Sequence, residues 1–172
     1  MTRALKYKPK VEPSEIDWAR LSAFIDGEGS IAIDKQIRAD CITPHYGLVI
    51  VIANTDPRLV LWGRERFGGK IYARSIRSAK HRMAYAWHLS SSQAEFVIRG
   101  CLPYMLLKRE QAELALAFRE TYKLESSLVR SGKSGRASVP VEVANRREEL
   151  FKQIRAAKKE KFEAPPDSVF VQ

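Results

Sequence analysis

Residues 14–29 constrain the fold of this 172-residue chain most strongly, because they specify a helix whose faces differ. Ser14, followed three residues later by Asp17, is a capping-box pattern typical of a helix N-terminus. Apolar side chains then recur at the spacing of an amphipathic helix with one buried stripe: Leu21, Phe24 and Ile25. The pattern predicts a helix over residues 14–27 that packs this stripe into a core.

Small residues lie on a second face of the same helix. Ala19, Ala23 and Gly27 follow one another at four-residue spacing. Such spacing allows a second backbone to approach closely, a rule best attested in membrane helices but geometric in origin. An ordinary amphipathic helix with a glycine C-cap has the same pattern, so these residues alone leave both interpretations open.

Glu28 lies at the predicted C-terminal tip of this helix, against the negative end of the helix dipole. That position costs stability unless a positive charge balances it. A divalent cation could supply the charge, and hard oxygen ligands suit magnesium. The plainer interpretation is a solvated acid before a strand.

The composition favours a polyanionic partner. Thirty Lys and Arg residues against 20 Asp and Glu give a net charge of +10 and a pI near 9.8, which favours nucleic acid over an anionic membrane. No apolar run approaches the roughly 18 residues of a membrane span, and no signal-peptide pattern opens the chain. The two Cys and three His lack metal-ligand spacing, so we expect an intracellular reducing compartment, either cytoplasm and nucleoid or an organelle matrix.

The rest of the chain divides into one domain with basic flanking segments. The predicted parts are a flexible basic arm (1–13), a core (14–125), a basic flexible loop (126–138), a C-terminal helix of the same domain (139–163) and a tail (164–172). Alternating patterns predict strands over 30–40, 48–53, 70–76 and 82–89. Further helices are predicted over 57–67, 90–101, 103–124 and 141–162, with Leu107, Leu114 and Phe118 on the apolar side of the third.

This order predicts an α+β fold, αββαββα, with one antiparallel four-stranded sheet backed by helices on one side. The other side of the sheet carries polar residues that could enter a major groove: Asp34, Gln36, Arg38, Lys70, Tyr72, Arg74 and Arg82. Val49 and Val51 lie on this polar side in the predicted register and could meet thymine methyl groups. A register shifted by one residue would replace them with Leu48, Ile50 and Ile52.

Residues 21–29, Leu-Ser-Ala-Phe-Ile-Asp-Gly-Glu-Gly, resemble the signature of the LAGLIDADG homing endonucleases position by position. Two further segments resemble the family. Asn54–Arg58, before Phe67-Gly68-Gly69, resembles its polar and arginine pair, and Leu102–Lys108 resembles its LPxLxxK segment. The resemblance spans about residues 14–124 and implies the αββαββα fold.

The resemblance also implies a function and site residues. A chain with a single motif is expected to act as a homodimer, with Ala19, Ala23 and Gly27 at the interface. The implied metal ligands are Glu28 and the Gly27 carbonyl, and the implied catalytic residues are Glu28, Asn54, Arg58 and Lys108. From the residues alone, Asn54 could equally be a helix cap, and Arg58 and Lys108 could be solvated surface residues.

The implied reaction is Mg²⁺-dependent cleavage of both DNA strands at a long near-palindromic target, leaving 3' overhangs. Mn²⁺ is expected to substitute for Mg²⁺, and Ca²⁺ to bind without supporting cleavage. Arg130, Lys133, Arg136 and the last helix are expected to contact backbone phosphates. Two alternatives use the same scaffold: an intron maturase that binds RNA, and a DNA-binding regulator that has lost cleavage. The presence of both Glu28 and Lys108 favours cleavage, because binding alone needs neither.

Overall fold

The computed structural model describes residue 7 and residues 9–37, 43–74, 83–128 and 139–159. Within them the helices are α1 (Glu15–Glu28), α2 (Pro57–Phe67), α3 (Ser91–Cys101), α4 (Arg109–Leu128) and α5 (Val141–Ala157). The strands are β1 (Gly29–Gln36), β2 (His45–Asn54), β3 (Lys70–Arg74) and β4 (Ala84–Ser90). All four strands form one antiparallel sheet in the order β1-β2-β4-β3. The predicted α+β class and four-stranded sheet are confirmed.

The first helix forms as its sequence predicts. The Ser14 hydroxyl accepts the Asp17 backbone N–H at 3.2 Å, and the Asp17 carboxylate accepts the Ser14 N–H at 3.0 Å, which completes the capping box. Leu21 and Ile25 are fully buried against the sheet. Phe24 is only partly buried and lies edge-on to the Trp62 ring of α2.

The register of β2 is the predicted one. Val49 and Val51 are half-buried on the open side of the sheet, where they pair with Ala32 and Ser30 of β1. The three residues that alternate with them on β2 are buried in the core: Leu48, Ile50 and Ile52. The alternative register, shifted by one residue, is therefore excluded.

The start of β2 differs from its prediction, which began this strand at residue 48. The strand begins at His45, and Tyr46 is buried as part of the core. Its hydroxyl donates a hydrogen bond to Glu148 of α5, which gives the buried phenol a partner. The earlier start extends the pairing with β1 to Gln36, opposite His45.

The predicted helix over 103–124 is wrong at its start. Pro103 lies in a 3₁₀ turn, Leu102–Tyr104, and α4 begins only at Arg109. The Asp26 carboxylate of α1 accepts the backbone N–H groups of Leu106 at 2.8 Å and Lys108 at 3.0 Å. A helix over these residues would direct the same groups at carbonyls four residues back, so Asp26 holds the segment open. Leu107 is consequently 76% exposed rather than part of the core.

The flanking segments are described only in part. Tyr7, in the arm predicted to be flexible, donates a hydrogen bond to the Phe67 carbonyl at 2.9 Å and lies edge-on to Phe96. The arm is thus attached at this residue. Residues 129–138 of the predicted basic loop and the predicted tail lie outside the described residues. The last helix, predicted to reach residue 162, ends at Ala157, because Lys159 donates its N–H to the Ala156 carbonyl and tightens the chain into a turn.

None of the helices in the described ranges is both long and apolar enough to cross a membrane.

Candidate active site

Glu28 is the last residue of α1 and is exposed, and β1 begins at the next residue. The change from helix to strand is abrupt because Gly29 packs directly on the backbone of Ile25. A Cβ at position 29 would lie 2.7 Å from the Ile25 Cα, closer than side-chain carbons are found. Glycine is therefore required there, and it leaves the Glu28 carboxylate at the mouth of the open side of the sheet.

That open side forms a groove of about 450 Å³. Its lining combines polar groups at the β1 edge with small apolar groups in the middle: Glu28, Ser30, Ala32, Asp34, Val49, Val51, Ala53 and His88. Small side chains in the middle keep the groove shallow, so a long polar ligand can lie across the strands with its charged groups near Glu28.

Lys108 reaches the C-terminal end of α1 from the start of α4. Its ammonium donates to the Ile25 carbonyl at 2.8 Å and also to the Asp26 carbonyl. Helix α1 has no basic residue in its own last turn, so Lys108 provides the positive charge that this helix end lacks. Burial lowers the pKa of Lys108, and the nearby carboxylates of Asp26 and Glu28 oppose that shift.

This geometry changes one part of the sequence interpretation. The dipole argument allows a divalent cation to balance the end of α1, but the ammonium of Lys108 already lies against the carbonyls there. Lys108 lies beside Glu28 as the resemblance implied, and its contacts with the helix carbonyls are those of a structural cation.

Asp26 is the site residue that sequence reasoning missed. Its two carboxylate oxygens accept the N–H groups of Leu106 and Lys108, and so fix the segment that carries the Lys108 side chain. A signal was available: Asp26 is the first of two acids in the motif and lies one turn beyond Ser22, on the side of α1 that faces the protein. Its partners come from a segment 80 residues away, and the sequence did not reveal that contact.

Asn54 is the last residue of β2, and its side-chain carbonyl accepts the Asp56 N–H at 2.8 Å. The N-cap of α2 is Asp56, which accepts the Arg58 N–H at 2.9 Å. The interpretation of Asn54 as the cap is therefore wrong. Asn54 instead shapes the turn between strand and helix.

The Arg58 side chain folds back onto Asp56. Its Nε lies 3.0 Å from both carboxylate oxygens and its Nη2 lies 2.5 Å from one of them. Hydrogen bonds from Arg58 lower the pKa of Asp56 to about 2. The Arg58 side chain is 88% exposed, so it is accessible to an anionic ligand while it holds this pair.

The sheet register brings these residues to one end of the molecule. Gly29 pairs with Ile52, so the α1–β1 junction with Glu28 and the β2–α2 junction with Asn54 lie at the same end of the β1–β2 pair. Arg58 follows on the first turn of α2. The structure thus gathers at this end the four predicted catalytic residues: Glu28, Lys108, Asn54 and Arg58.

The predicted DNA-reading residues are only partly described. Asp34, Gln36, Lys70 and Tyr72 are exposed, and strand pairing places them on the groove side of the sheet. Arg74 ends β3, and its side chain lies outside the description, as do five whole residues: Arg38, Arg82, Arg130, Lys133 and Arg136. His88 also lines the groove, and its ring lies edge-on to Tyr72, 5.0 Å between centroids.

The face of α1 that carries small residues is open to solvent. Ala19, Ala23 and Gly27 are exposed, and a Cβ added at Gly27 would meet no atom of the described residues within 4 Å. Nothing in the described part of the chain covers this face.

The described residues contain no group of three or more His, Cys, Asp or Glu side chains that could hold a metal ion. Glu28 and the Gly27 carbonyl, in the last turn of α1, offer oxygen donors of the kind Mg²⁺ prefers. They fit the predicted metal in chemistry but form only part of a ligand set. Any site that uses them needs donors from water, a ligand or a second chain.

Neither a protein-family model nor a curated protein sequence matches the chain. Solved structures do. The homing endonuclease I-CvuI, in complex with its target in the presence of Ca, is 18% identical over 88% of this chain and 87% of its own, with a TM-score of 0.62. The archaeal intron-encoded homing endonuclease I-Vdi141I, complexed with DNA, is 12% identical over 90% of this chain and 92% of its own, at 0.65.

Two further structures extend the comparison. The group I intron-encoded homing endonuclease I-CeuI, complexed with DNA, is 15% identical over 85% of this chain and 69% of its own, with a TM-score of 0.64. The I-SmaMI LAGLIDADG homing endonuclease is 15% identical over 89% of this chain, which spans only 49% of that protein, at 0.62. The chain has the fold of the LAGLIDADG homing endonucleases, which confirms at the level of fold the resemblance carried by residues 21–29.

Proposed function

We propose that two copies of this chain form a divalent-metal-dependent endonuclease that cleaves double-stranded DNA at a specific site. The observation that carries the proposal is the placement of Glu28. An exposed carboxylate ends a helix, opens onto a groove across the sheet, and lies beside a face of small residues that the described part of the chain leaves uncovered.

The second copy follows from the incomplete ligand set. If two α1 helices pack through Ala19, Ala23 and Gly27 about a twofold axis, the Glu28 residues of both copies come together at the axis. Each copy then contributes a carboxylate and a Gly27 carbonyl to one centre. Mg²⁺ bound by these oxygens would polarise the scissile phosphate and lower the pKa of a bound water.

The chain's own residues supply the remaining functions. Lys108 sets the positive charge beside Glu28 and compensates the end of α1. In this proposal Asn54, at the end of β2, orients a water molecule. Arg58 contacts a phosphate, which would replace its present partner, the Asp56 carboxylate, because both anions accept paired hydrogen bonds from a guanidinium.

Specificity resides on the open side of the sheet. A dimer doubles this surface into a long saddle, so the target is expected to be near-palindromic. Arg38, Arg74 and Arg82 are expected to join the described polar residues in reading bases, and Arg130, Lys133 and Arg136 to hold phosphates. The product is expected to carry 3' overhangs, and the protein to act inside the cell, in cytoplasm and nucleoid or an organelle matrix.

The solved structures of similar fold support this proposal, although the ligands seen in them were bound to those proteins and not to this chain. I-CvuI was seen with its target in 2 mM Ca, and I-SmaMI was seen bound to cleaved DNA and, with calcium ions, to uncleaved DNA. Those descriptions concern those proteins. They agree with a fold that binds duplex DNA in the presence of divalent cations.

The test is incubation of the purified protein with the uninterrupted allele of its host gene. We expect cleavage of both strands with Mg²⁺ or Mn²⁺, binding without cleavage with Ca²⁺, and no cleavage with EDTA. Mapping the ends checks the 3' overhang. Glu28→Gln should bind the duplex and not cut it. Cleavage that persists in EDTA or in Glu28→Gln would overturn the assignment.

Binding measurements on the same protein, with intron RNA and with the duplex, separate the two alternatives. Tight binding of intron RNA without cleavage of the allele would support a maturase. Binding of the duplex without cleavage in Mg²⁺ by the wild-type protein would support a DNA-binding regulator.

A further inference from the structure

The C-terminal end of α5 places a second lysine at the groove. Lys158, the C-cap of α5, donates a hydrogen bond from its ammonium to the Ser30 hydroxyl at 2.9 Å, across 128 residues of sequence. Ser30 lies two residues beyond Glu28 on β1 and lines the groove on the side that faces outward. The Lys158 ammonium therefore sits at the groove's edge, next to the predicted cleavage centre.

The charges around Lys158 belong to the same centre. Burial of its stem lowers the pKa of Lys158, the Asp34 carboxylate opposes that shift, and the charge of Lys108 adds to it. The Glu28 carboxylate in turn interacts electrostatically with the Lys108 ammonium. Lys158 thus lies within electrostatic range of one groove carboxylate, Asp34, and of Lys108, the cation at the end of α1.

Other basic residues of α5 are engaged elsewhere. Arg147 is buried and bonds Glu125 at 2.7 Å, Arg146 pairs with Glu149 at 2.6 Å, and Lys152 pairs with Glu148 at 3.8 Å. These side chains already have carboxylate partners. Lys158 instead has a neutral hydroxyl as its bonded partner, which an anion of the right geometry can replace at little cost.

We propose that Lys158 contacts a DNA phosphate beside the cleavage site, and that Ser30 holds its ammonium in place until DNA arrives. This rests on the proposed function and adds a substrate contact from the C-terminal end of α5. The polyanion replaces the Ser30 hydroxyl as partner, while Asp34 keeps the ammonium oriented along the groove. In a dimer each copy contributes one such contact.

The competing interpretation is that the Lys158–Ser30 bond only attaches the end of α5 to β1. The two interpretations differ in what Ser30→Ala does. If Lys158 binds phosphate, Ser30→Ala keeps the ammonium and leaves DNA affinity within about twofold of wild type. If the bond is a structural attachment, Ser30→Ala and Lys158→Ala behave alike.

The experiment measures the affinity of each variant for the uninterrupted-allele duplex in Ca²⁺ across a salt series. Losing one phosphate contact per subunit should reduce the slope of log K against log salt by about 2 for Lys158→Ala, and raise Kd about tenfold at moderate salt. Lys158→Arg should restore the slope, because guanidinium also binds phosphate. Lys159→Ala is the matched control, since it removes an adjacent exposed lysine with the same change in net charge.

The outcomes are separable from those of the proposed function. If wild-type protein does not cleave in Mg²⁺, the endonuclease assignment fails first. If it cleaves, but Lys158→Ala and Lys159→Ala share one slope, or Ser30→Ala reproduces Lys158→Ala, the phosphate contact is overturned. A melting temperature for each variant keeps a loss of folding from being mistaken for either result.

Discussion

The two carboxylates at the end of α1, Asp26 and Glu28, differ in burial and in hydrogen bonding. Asp26 is half-buried, and both its oxygens accept backbone N–H groups from the segment before α4. Glu28 is exposed and, within the described part of the chain, accepts no hydrogen bond. The difference shows that one acid of the motif is committed to the fold and the other is available to a ligand.

The cause is position on the helix rather than chemistry. Asp26 lies on the side of α1 that faces the 102–108 segment, where two N–H groups in a non-helical stretch need acceptors. Glu28 lies at the last helical residue, where Gly29 turns the chain into the sheet. A protein that only needed stability would gain nothing from a carboxylate at that second position.

The largest expected effect comes from removing the charge of Glu28, the acid that is available to a ligand. Glu28→Gln should lower the single-turnover cleavage rate by about 10³-fold or more, because a metal-bound carboxylate supports several kcal/mol of transition-state stabilisation. Its melting temperature should match wild type. Asp26→Asn is the comparison, since it is an equally conservative change at the residue that fixes the Lys108 segment, and it should lower the melting temperature, which Glu28→Gln should not. If Asp26→Asn abolished cleavage in a fully folded dimer while Glu28→Gln did not, the roles would be reversed.

The second expected effect concerns the open face of α1. Ala23→Leu should prevent two α1 helices from packing closely, with an overpacking cost of about 1–3 kcal/mol at each of the two contacts. Sedimentation velocity should show a dimer for wild type and a monomer for the variant, with cleavage lost. Ala156→Leu adds the same atoms to an exposed position of α5 and should leave the dimer intact. An active dimer of Ala23→Leu would refute the packed small face.

The third effect is on stability. Asp26→Ala leaves the Leu106 and Lys108 N–H groups without their acceptor, and we expect a loss of about 1–3 kcal/mol in the free energy of unfolding. Glu28→Ala should change it by less than about 0.5 kcal/mol, as surface substitutions usually do. Urea unfolding of both variants measures the difference. Equal losses would mean that Glu28 also has a structural role.

Local patterns predicted the elements whose signals are local. The capping box at Ser14, the alternation that places Val49 and Val51 outward, and the glycines that end α2 were all readable from adjacent residues. The start of α4 was not, because Pro103 looks like a helix opener until Asp26 captures the N–H groups that follow it.

The same limit applies to the site. Residue types and the resemblance pointed to Glu28 and Lys108, but the bonds of Lys108 to the α1 carbonyls depend on a contact across 82 residues. Nothing in the sequence singled out Lys158: the last helix as a whole is expected to contact phosphates, and only the packing of α5 on β1 brings this one lysine to Ser30. Long-range pairing of this kind is decided by the whole core, not by any window of sequence.

The smallest expected effect is a change in stability that involves a third carboxylate, Glu148 of α5. Like Asp26 it is engaged by the fold: Lys35 donates to it at 2.7 Å, Tyr46 also donates, and these bonds lower the pKa of Glu148. Its contribution to stability is therefore full above its ordinary pKa of 4.5 and is lost as the pH falls below that value. Tyr46→Phe keeps the buried ring and removes one of the bonds, so we expect a loss of about 1 kcal/mol at pH 7.

The deficit of Tyr46→Phe relative to wild type should shrink when urea unfolding is repeated at pH 3, because Glu148 is then largely protonated in the unfolded state and the wild-type advantage fades. If the Tyr46→Phe deficit were unchanged between pH 7 and pH 3, it would come from packing of the ring rather than from the carboxylate. Glu148 would then not belong with Asp26 among the acids that the fold uses.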